Sequence, residues 1–203
     1  MNSSSSITGF ARSLSQSQLT REFDGVRCQG VYRHRLSAPA SAEIARDPRS
    51  AGLALHKLFA RMDDNLPLTS AERAYLPWMS ALRAEIRGHG ATRFKVEEPM
   101  RAGKLKGYCD LVGRGPGGVR IPVEVKSLRY AVVGDEPRGR DLAQLAAYSL
   151  ALELEARSQH KGSPARPPAI SCLAYAELSS AQLTMMVFDL HELAAVAKRV
   201  MAN

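Results

Sequence analysis

Two carboxylates and a lysine lie close together in the stretch GYCDLVGRGPGGVRIPVEVKS, residues 107 to 127: Asp110, Glu124 and Lys126. The alternation of Val119, Ile121, Val123 and Val125 predicts a strand that turns Glu124 and Lys126 together to its opposite face. Lys106, Tyr108 and Asp110 share a face of the strand before it, and the turn RGPGG lays the two strands side by side, bringing Asp110 toward Glu124. Two carboxylates at that range repel unless a cation lies between them. Hard divalent ions such as Mg²⁺ suit the position, because they take carboxylate, carbonyl and water oxygens. A lysine two residues from the glutamate adds a fixed positive charge, able to orient a water or to stabilise charge developing on a phosphodiester during cleavage. An Asp and an E-x-K taken alone recur by chance, and an ordinary solvated ion pair accounts for such a set as well.

Two further pairs extend the set. Gly52 and His56, in AGLALHKL, are four residues apart on a predicted helix and therefore share a face. The glycine leaves room around the imidazole for another backbone, a metal or a substrate, and neutral imidazole is a common metal ligand. Gln144 and Tyr148, in QLAAY, have the same spacing and offer an amide and a phenol. Each pair by itself has a plainer reading, a surface histidine in one case and a polar helix edge in the other.

The elements that must position these residues follow from the patterning. Leu55, Leu58, Phe59 and Met62 recur at helical spacing and predict a helix over about 50–65. A second helix opens on Thr69 or Ser70, is interrupted or kinked at Pro77, and closes on Gly88. TRFKVEEP, KLKGYCDLVG and VRIPVEVKS predict three strands, with Pro122 implying an edge, a bulge or an irregular start to the third. An Ala- and Leu-rich helix follows over 140–157, then strands in AISCLAYAEL and QLTMMVFDL, and a last helix in HELAAVAKRVMA. This order predicts an α/β fold, a mixed central sheet of about five strands flanked by helices. The Ser-rich residues 1–20 read as a disordered arm, 21–203 as a single domain, and residues up to about 50 receive no role.

Taken in chain order, G-x-x-x-H at Gly52 to His56, G-x-x-D at Gly107 to Asp110, E-x-K at Glu124 to Lys126 and Q-x-x-x-Y at Gln144 to Tyr148 resemble the PD-(D/E)XK nuclease superfamily. The match is nearest its RecB-like branch and runs from about residue 50 to residue 190. The resemblance implies a restriction-endonuclease-like core and Mg²⁺- or Mn²⁺-dependent hydrolysis of DNA phosphodiester bonds. It implies that His56, Asp110, Glu124 and the backbone carbonyl of Val125 hold the metal, and that Lys126 positions or activates the attacking water. Gln144 and Tyr148 would hold the DNA backbone or brace the site, and Glu97 or Glu98 would be an extra ligand. Arg129, Arg138 and Arg140, in the insertion SLRYAVVGDEPRGRD, would belong to a mobile loop over DNA.

Composition bounds the partners. Twenty-eight Lys and Arg against 20 Asp and Glu leave a net charge of +8, which favours polyanions such as nucleic acid. Three widely spaced cysteines, Cys28, Cys109 and Cys172, fit neither a disulfide framework nor a zinc knuckle, and no iron–sulfur cluster is expected. No signal peptide or membrane-spanning run is recognisable, so a cytoplasmic location and no membrane partner are expected. With no P-loop, any unwinding would come from a helicase or recombination partner, and a homo-oligomer is one route to processivity. The expected activity is an exonuclease or structure-selective endonuclease in repair, recombination or phage and mobile-element biology. The competing readings are a catalytically silent nucleic-acid-binding module on the same fold, and a toxin- or restriction-type nuclease with substrates that include RNA.

Overall fold

The five segments patterned as strands all enter one mixed sheet, and a sixth joins them at its edge. The computed structural model describes residues 6–36, 48–63, 66–128, 137–159 and 169–202. The strands are β1 (Cys28–Arg35), β2 (Arg93–Ala102), β3 (Leu105–Arg114), β4 (Arg120–Leu128), β5 (Ile170–Glu177) and β6 (Gln182–Asp189), in the spatial order β1-β6-β5-β4-β3-β2. Neighbours pair antiparallel except β4 and β5, which run parallel and are joined by a crossover through α6 (Gly139–Gln159). A parallel pair requires such a crossover, because a short turn can only reverse the chain. The protein is therefore α/β, with a six-stranded mixed sheet flanked by helices.

The sixth strand, β1, comes from CQGVYRHR, where glycine and several charged or polar side chains blur the alternation. It pairs with β6 from Cys28↔Phe188 to Arg35↔Gln182, with an irregularity between Cys28 and Gly30. Pro122, expected to mark an edge, a bulge or an irregular start, lies near the start of the central strand β4. It is placed opposite Val112 of β3, and β5 joins β4 only from Val123 onward. The missing N–H thus falls where the parallel ladder has yet to begin.

The helices are α1 (Ile7–Ser13), α2 (Gln16–Phe23), α3 (Pro48–Asp63), α4 (Ser70–Arg73), α5 (Leu76–Gly88), α6 and α7 (Leu190–Ala202). Thr69 and Glu72 cap α4 reciprocally, the Glu72 N–H donating to the Thr69 hydroxyl at 3.2 Å and Thr69 N–H to the Glu72 carboxylate at 2.7 Å. Pro77 stands in the first turn of α5, where its missing N–H costs nothing, so it starts a helix rather than kinking one.

Residues 7–23 correct the expectation of a disordered arm. Serine dominates the composition, but Ser6 and Ser15 spend their hydroxyls as N-caps, and Ile7, Ala11, Leu14, Leu19 and Phe23 are buried in the core. A few apolar residues at helical spacing suffice once a docking surface exists.

Two cores sandwich the sheet. On one side α1, α2, α6 and α7 pack against Leu105, Cys109, Val112, Leu173, Tyr175, Met186 and Phe188. On the other, α3 and α5 cover Leu111, Ile121, Val123, Val125, Ala174 and Met185. Every residue from Leu142 to Glu153 of α6 is buried, as expected of a helix enclosed by a sheet and three other helices. Trp78 of α5 fixes the second layer by donating its indole N–H to the Gln182 carbonyl at 3.1 Å. Among the described residues, no helix is long and apolar enough to cross a membrane.

Candidate active site

His56, Asp110, Glu124, Lys126, Gln144 and Tyr148 meet where β3 and β4 part. The β3–β4 ladder pairs Arg114 with Arg120 and runs to Leu111↔Val123, then stops one residue short of Asp110. There the Asp110 carboxylate replaces a strand carbonyl, accepting the Val125 N–H at 2.8 Å. The fork exposes the pair of strands to helices on both sides.

A change of face accompanies the fork. Leu105 and Cys109 of β3 belong to the α6-side core and so does Val112, three residues further on, whereas Leu111 belongs to the α3-side core. On β2, Phe94 and Val96 face α5 and α3, but Met100 and Ala102 face α6. Strict period-2 alternation therefore fails on both strands at one level. Glu97, between the pairs Val96↔Leu111 and Glu98↔Cys109 and so level with Asp110, sits there in the left-handed region at φ 47°. A non-glycine residue in that region costs about 1–2 kcal/mol. The slip lets Asp110 address α3 while Glu124 and Lys126, on β4, address α6.

From α3, His56 places Nε2 3.6 Å from Asp110 Oδ1 and Nδ1 4.0 Å from a Glu97 carboxylate oxygen. Gly52 makes this approach feasible. A Cβ at that position would stand 3.0 Å from the Ser127 hydroxyl of β4, so the glycine lets α3 lie close enough for His56, one turn on, to reach the fork. From α6, Gln144 accepts from the Lys126 ammonium at 3.2 Å and donates to the Tyr148 hydroxyl at 3.3 Å. Tyr148 in turn donates to the Tyr108 carbonyl at 2.7 Å, tying α6 back to β3. Both side chains spend their polar groups on the protein, which makes them braces. The Lys126 ammonium also pairs with Glu124.

Glu124 is the most deeply placed carboxylate of the site, 1% exposed, and its second oxygen is buried with no hydrogen-bond partner. An unpaired buried carboxylate oxygen is costly unless a proton or a cation meets it. Burial, with Asp110 beside it, pushes the Glu124 carboxyl up to about 8 against the pull of Lys126. Burial likewise raises Asp110, opposed by His56, the Val125 N–H and Lys126. For Lys126 burial works against the charge, but Glu124, Asp110 and Asp141 outweigh it and hold the ammonium above its usual range. Asp141, raised by burial, accepts from the Tyr175 hydroxyl at 3.1 Å.

The donor set fits a hard divalent ion in kind: an imidazole and two carboxylates, one of them with an unspent buried oxygen. Yet among the described residues no three His, Cys, Asp or Glu side chains are grouped closely enough to form a metal centre unaided. The reason is visible in the bonds already made, since Lys126 holds one Glu124 oxygen while Val125 N–H and His56 engage Asp110. Val125, whose carbonyl is the expected ligand, also joins the site through its N–H to Asp110. Of the two candidate extra acids, Glu97 stands beside His56. Glu98 is committed elsewhere, accepting from Arg114 at 2.6 Å and Arg120 at 2.5 Å, with Arg120 also bridging to Glu155 of α6 at 2.7 Å.

The site is the floor of a cleft of about 750 Å³. Its mouth carries Arg12, Arg101, Lys106 and Arg140, of which only Arg140 is among the site residues named from the sequence, there as part of the insertion before the Gln144 helix. Arg138 donates its backbone N–H to the Tyr175 hydroxyl at 3.0 Å, its side chain being exposed outside the cleft lining. Arg129 lies outside the described residues. Arg12 and Asp141 have no signal in the sequence, because what brings them here is the docking of α1 and the entry of α6. Compared with models of known protein families and with curated proteins, the chain matches none.

Proposed function

We propose that this protein is a divalent-metal-dependent deoxyribonuclease of the PD-(D/E)XK kind, hydrolysing phosphodiester bonds in DNA on a restriction-endonuclease-like core. The observation that carries the reading is the Glu124 oxygen, buried and unpaired beside Asp110, an ammonium and an imidazole at the floor of a cleft with a basic mouth. Neither a solvated ion pair nor a plain core needs that arrangement.

Asp110, Glu124 and His56 are the residues to hold Mg²⁺ or Mn²⁺. When bound, the ion supplies Lewis-acid polarisation of the phosphodiester and a nucleophilic water at neutral pH. Lys126 is held in its charged form by Glu124, Asp110 and Asp141 in the metal-free protein. It donates to a water or to a phosphoryl oxygen and so stabilises the negative charge that develops there. Gln144 fixes the ammonium from behind, and Tyr148 fixes the strand that carries Asp110. The arginines and lysine at the mouth attract the backbone before chemistry begins.

A second reading, a nucleic-acid-binding module without chemistry, draws on the lack of a compact three-ligand group among the described residues. Purified protein with labelled linear and circular DNA, with and without Mg²⁺ or Mn²⁺, separates the two. The deoxyribonuclease reading expects metal-dependent cutting by the wild type and a loss of at least about a hundredfold in Lys126→Ala, the scale of one lost transition-state donor. DNA binding without metal-dependent cutting would replace it with the binding module. Cutting of linear DNA alone would mark an exonuclease, and nicking of circles an endonuclease.

A further inference from the structure

Tyr108 is the most exposed large hydrophobic side chain among the described residues, at 67%, and it lines the cleft two residues before Asp110. Its surroundings do not leave it loose. The Tyr108 carbonyl accepts from Tyr148, and at Gly107 the backbone is pressed under Ile7 of α1 so closely that a Cβ would lie 3.0 Å from the Ile7 side chain. Ser6, just before α1, bridges to Lys106, so the first helix forms one wall of the cleft and the strand bearing Tyr108 forms another. An aromatic ring two-thirds exposed on a hydrogen-bonded strand, lining the same cleft as Arg12, Arg101, Lys106 and Arg140, has no core-packing role.

Those parts match what recognises an unpaired nucleic-acid strand: a basic track for the backbone and an aromatic face on which a base stacks. A base inside a duplex already has both faces covered, and it reaches such a ring only when unstacked. The cleft volume, about 750 Å³, is that of a small-ligand pocket, with room for a few nucleotides. Two residues of strand separate Tyr108 from Asp110 by about 7 Å, the span of one extended nucleotide step.

We infer that Tyr108 is a strand-selecting residue. The site takes single-stranded DNA, a free end or an unpaired tail, with one base stacked on the Tyr108 ring and the neighbouring phosphates on the four basic side chains. This rests on the deoxyribonuclease reading for the identity of the polymer. Its evidence, the exposed ring in a basic cleft, is separate from the carboxylates.

The test is fluorescence anisotropy with labelled single-stranded DNA and a blunt duplex of the same sequence, at one fixed salt concentration, with Ca²⁺ in place of Mg²⁺. The wild type is expected to prefer the single strand by at least about tenfold. Tyr108→Ala loses about tenfold or more on the single strand, the scale of one stacked base, and leaves duplex binding and the melting temperature unchanged. Tyr108→Phe keeps the wild-type preference, because stacking needs the ring and not the hydroxyl. Equal binding of both DNAs by the wild type, unaltered single-strand binding by Tyr108→Ala, or a Phe variant as weak as the Ala variant overturns the inference. Cleavage assays with Mg²⁺ on the same proteins keep the two readings apart. Ring-dependent binding without cutting refutes only the nuclease, and Lys126-dependent cutting indifferent to Tyr108 refutes only the strand selection.

Discussion

Replacing Glu124 by Gln removes one negative charge from the floor of the cleft and leaves the volume almost unchanged. In the folded metal-free protein burial moves this carboxyl from 4.5 up to about 8, so it binds a proton there that the unfolded chain has released. The sign follows from linkage: the wild type has its full stability below about pH 4.5 and loses part of it as pH rises through about 8. The shift corresponds to a ceiling of about 5 kcal/mol at alkaline pH, at about 1.4 kcal/mol for each tenfold. That shift already includes the pull of Lys126, so the neutral amide, which matches the protonated acid, avoids the whole of it. The expected gain for Glu124→Gln is therefore at most about 5 kcal/mol at about pH 9, or up to about 10–20 °C in melting temperature for a chain of this size. At about pH 5, where the wild-type group is neutral, the gain vanishes. Calorimetry of both proteins across this range, with and without millimolar Mg²⁺ or Mn²⁺, reads the effect, and the divalent ion should stabilise the wild type alone. Parallel pH curves for the two proteins, or equal stabilisation of both by the ion, would refute the assignment of Glu124 as a buried carboxylate awaiting a cation.

Glu98→Ala strands Arg114 and Arg120 beside one another on the α6 face, with Glu155 left to answer one of them. Urea unfolding should show a loss of about 2–4 kcal/mol with little change in divalent-ion binding, since none of Glu98, Arg114 and Arg120 lines the cleft. Glu97→Gly relieves the left-handed backbone at φ 47° and should raise stability by about 1 kcal/mol, whereas Glu97→Val should lower it by at least as much. If the valine is tolerated as well as the glycine, the strain at that position is not real.

Much of the site is legible in the sequence because helical and strand periodicity are local. Gly52 with His56, Glu124 with Lys126 and Gln144 with Tyr148 each share a face by spacing alone, and in the structure each pair does so. Asp110 reaches Glu124 in the sequence reading through unbroken alternation on β3. That alternation in fact slips at Asp110, as does that of β2 at Glu97, and the aspartate turns toward His56 while its second oxygen takes the Val125 N–H. Glu98 reads as a ligand because position on the strand does not reveal that two arginines from β3 and β4 claim it. Residues 6–23 mislead because composition counts serines, whereas two N-caps and five buried apolar side chains decide the conformation.

The sequence by itself determined the order of helices and strands after residue 50 and the residue types available for chemistry, since propensity, capping and period act over a few residues. Tertiary structure alone decided that β1 completes the sheet, that α1 walls the cleft with Arg12, that Tyr108 stays in solvent, and that Glu124 keeps an unpaired oxygen. Those facts depend on which surfaces meet across long stretches of chain, and the free energy of such meetings is written in no local pattern.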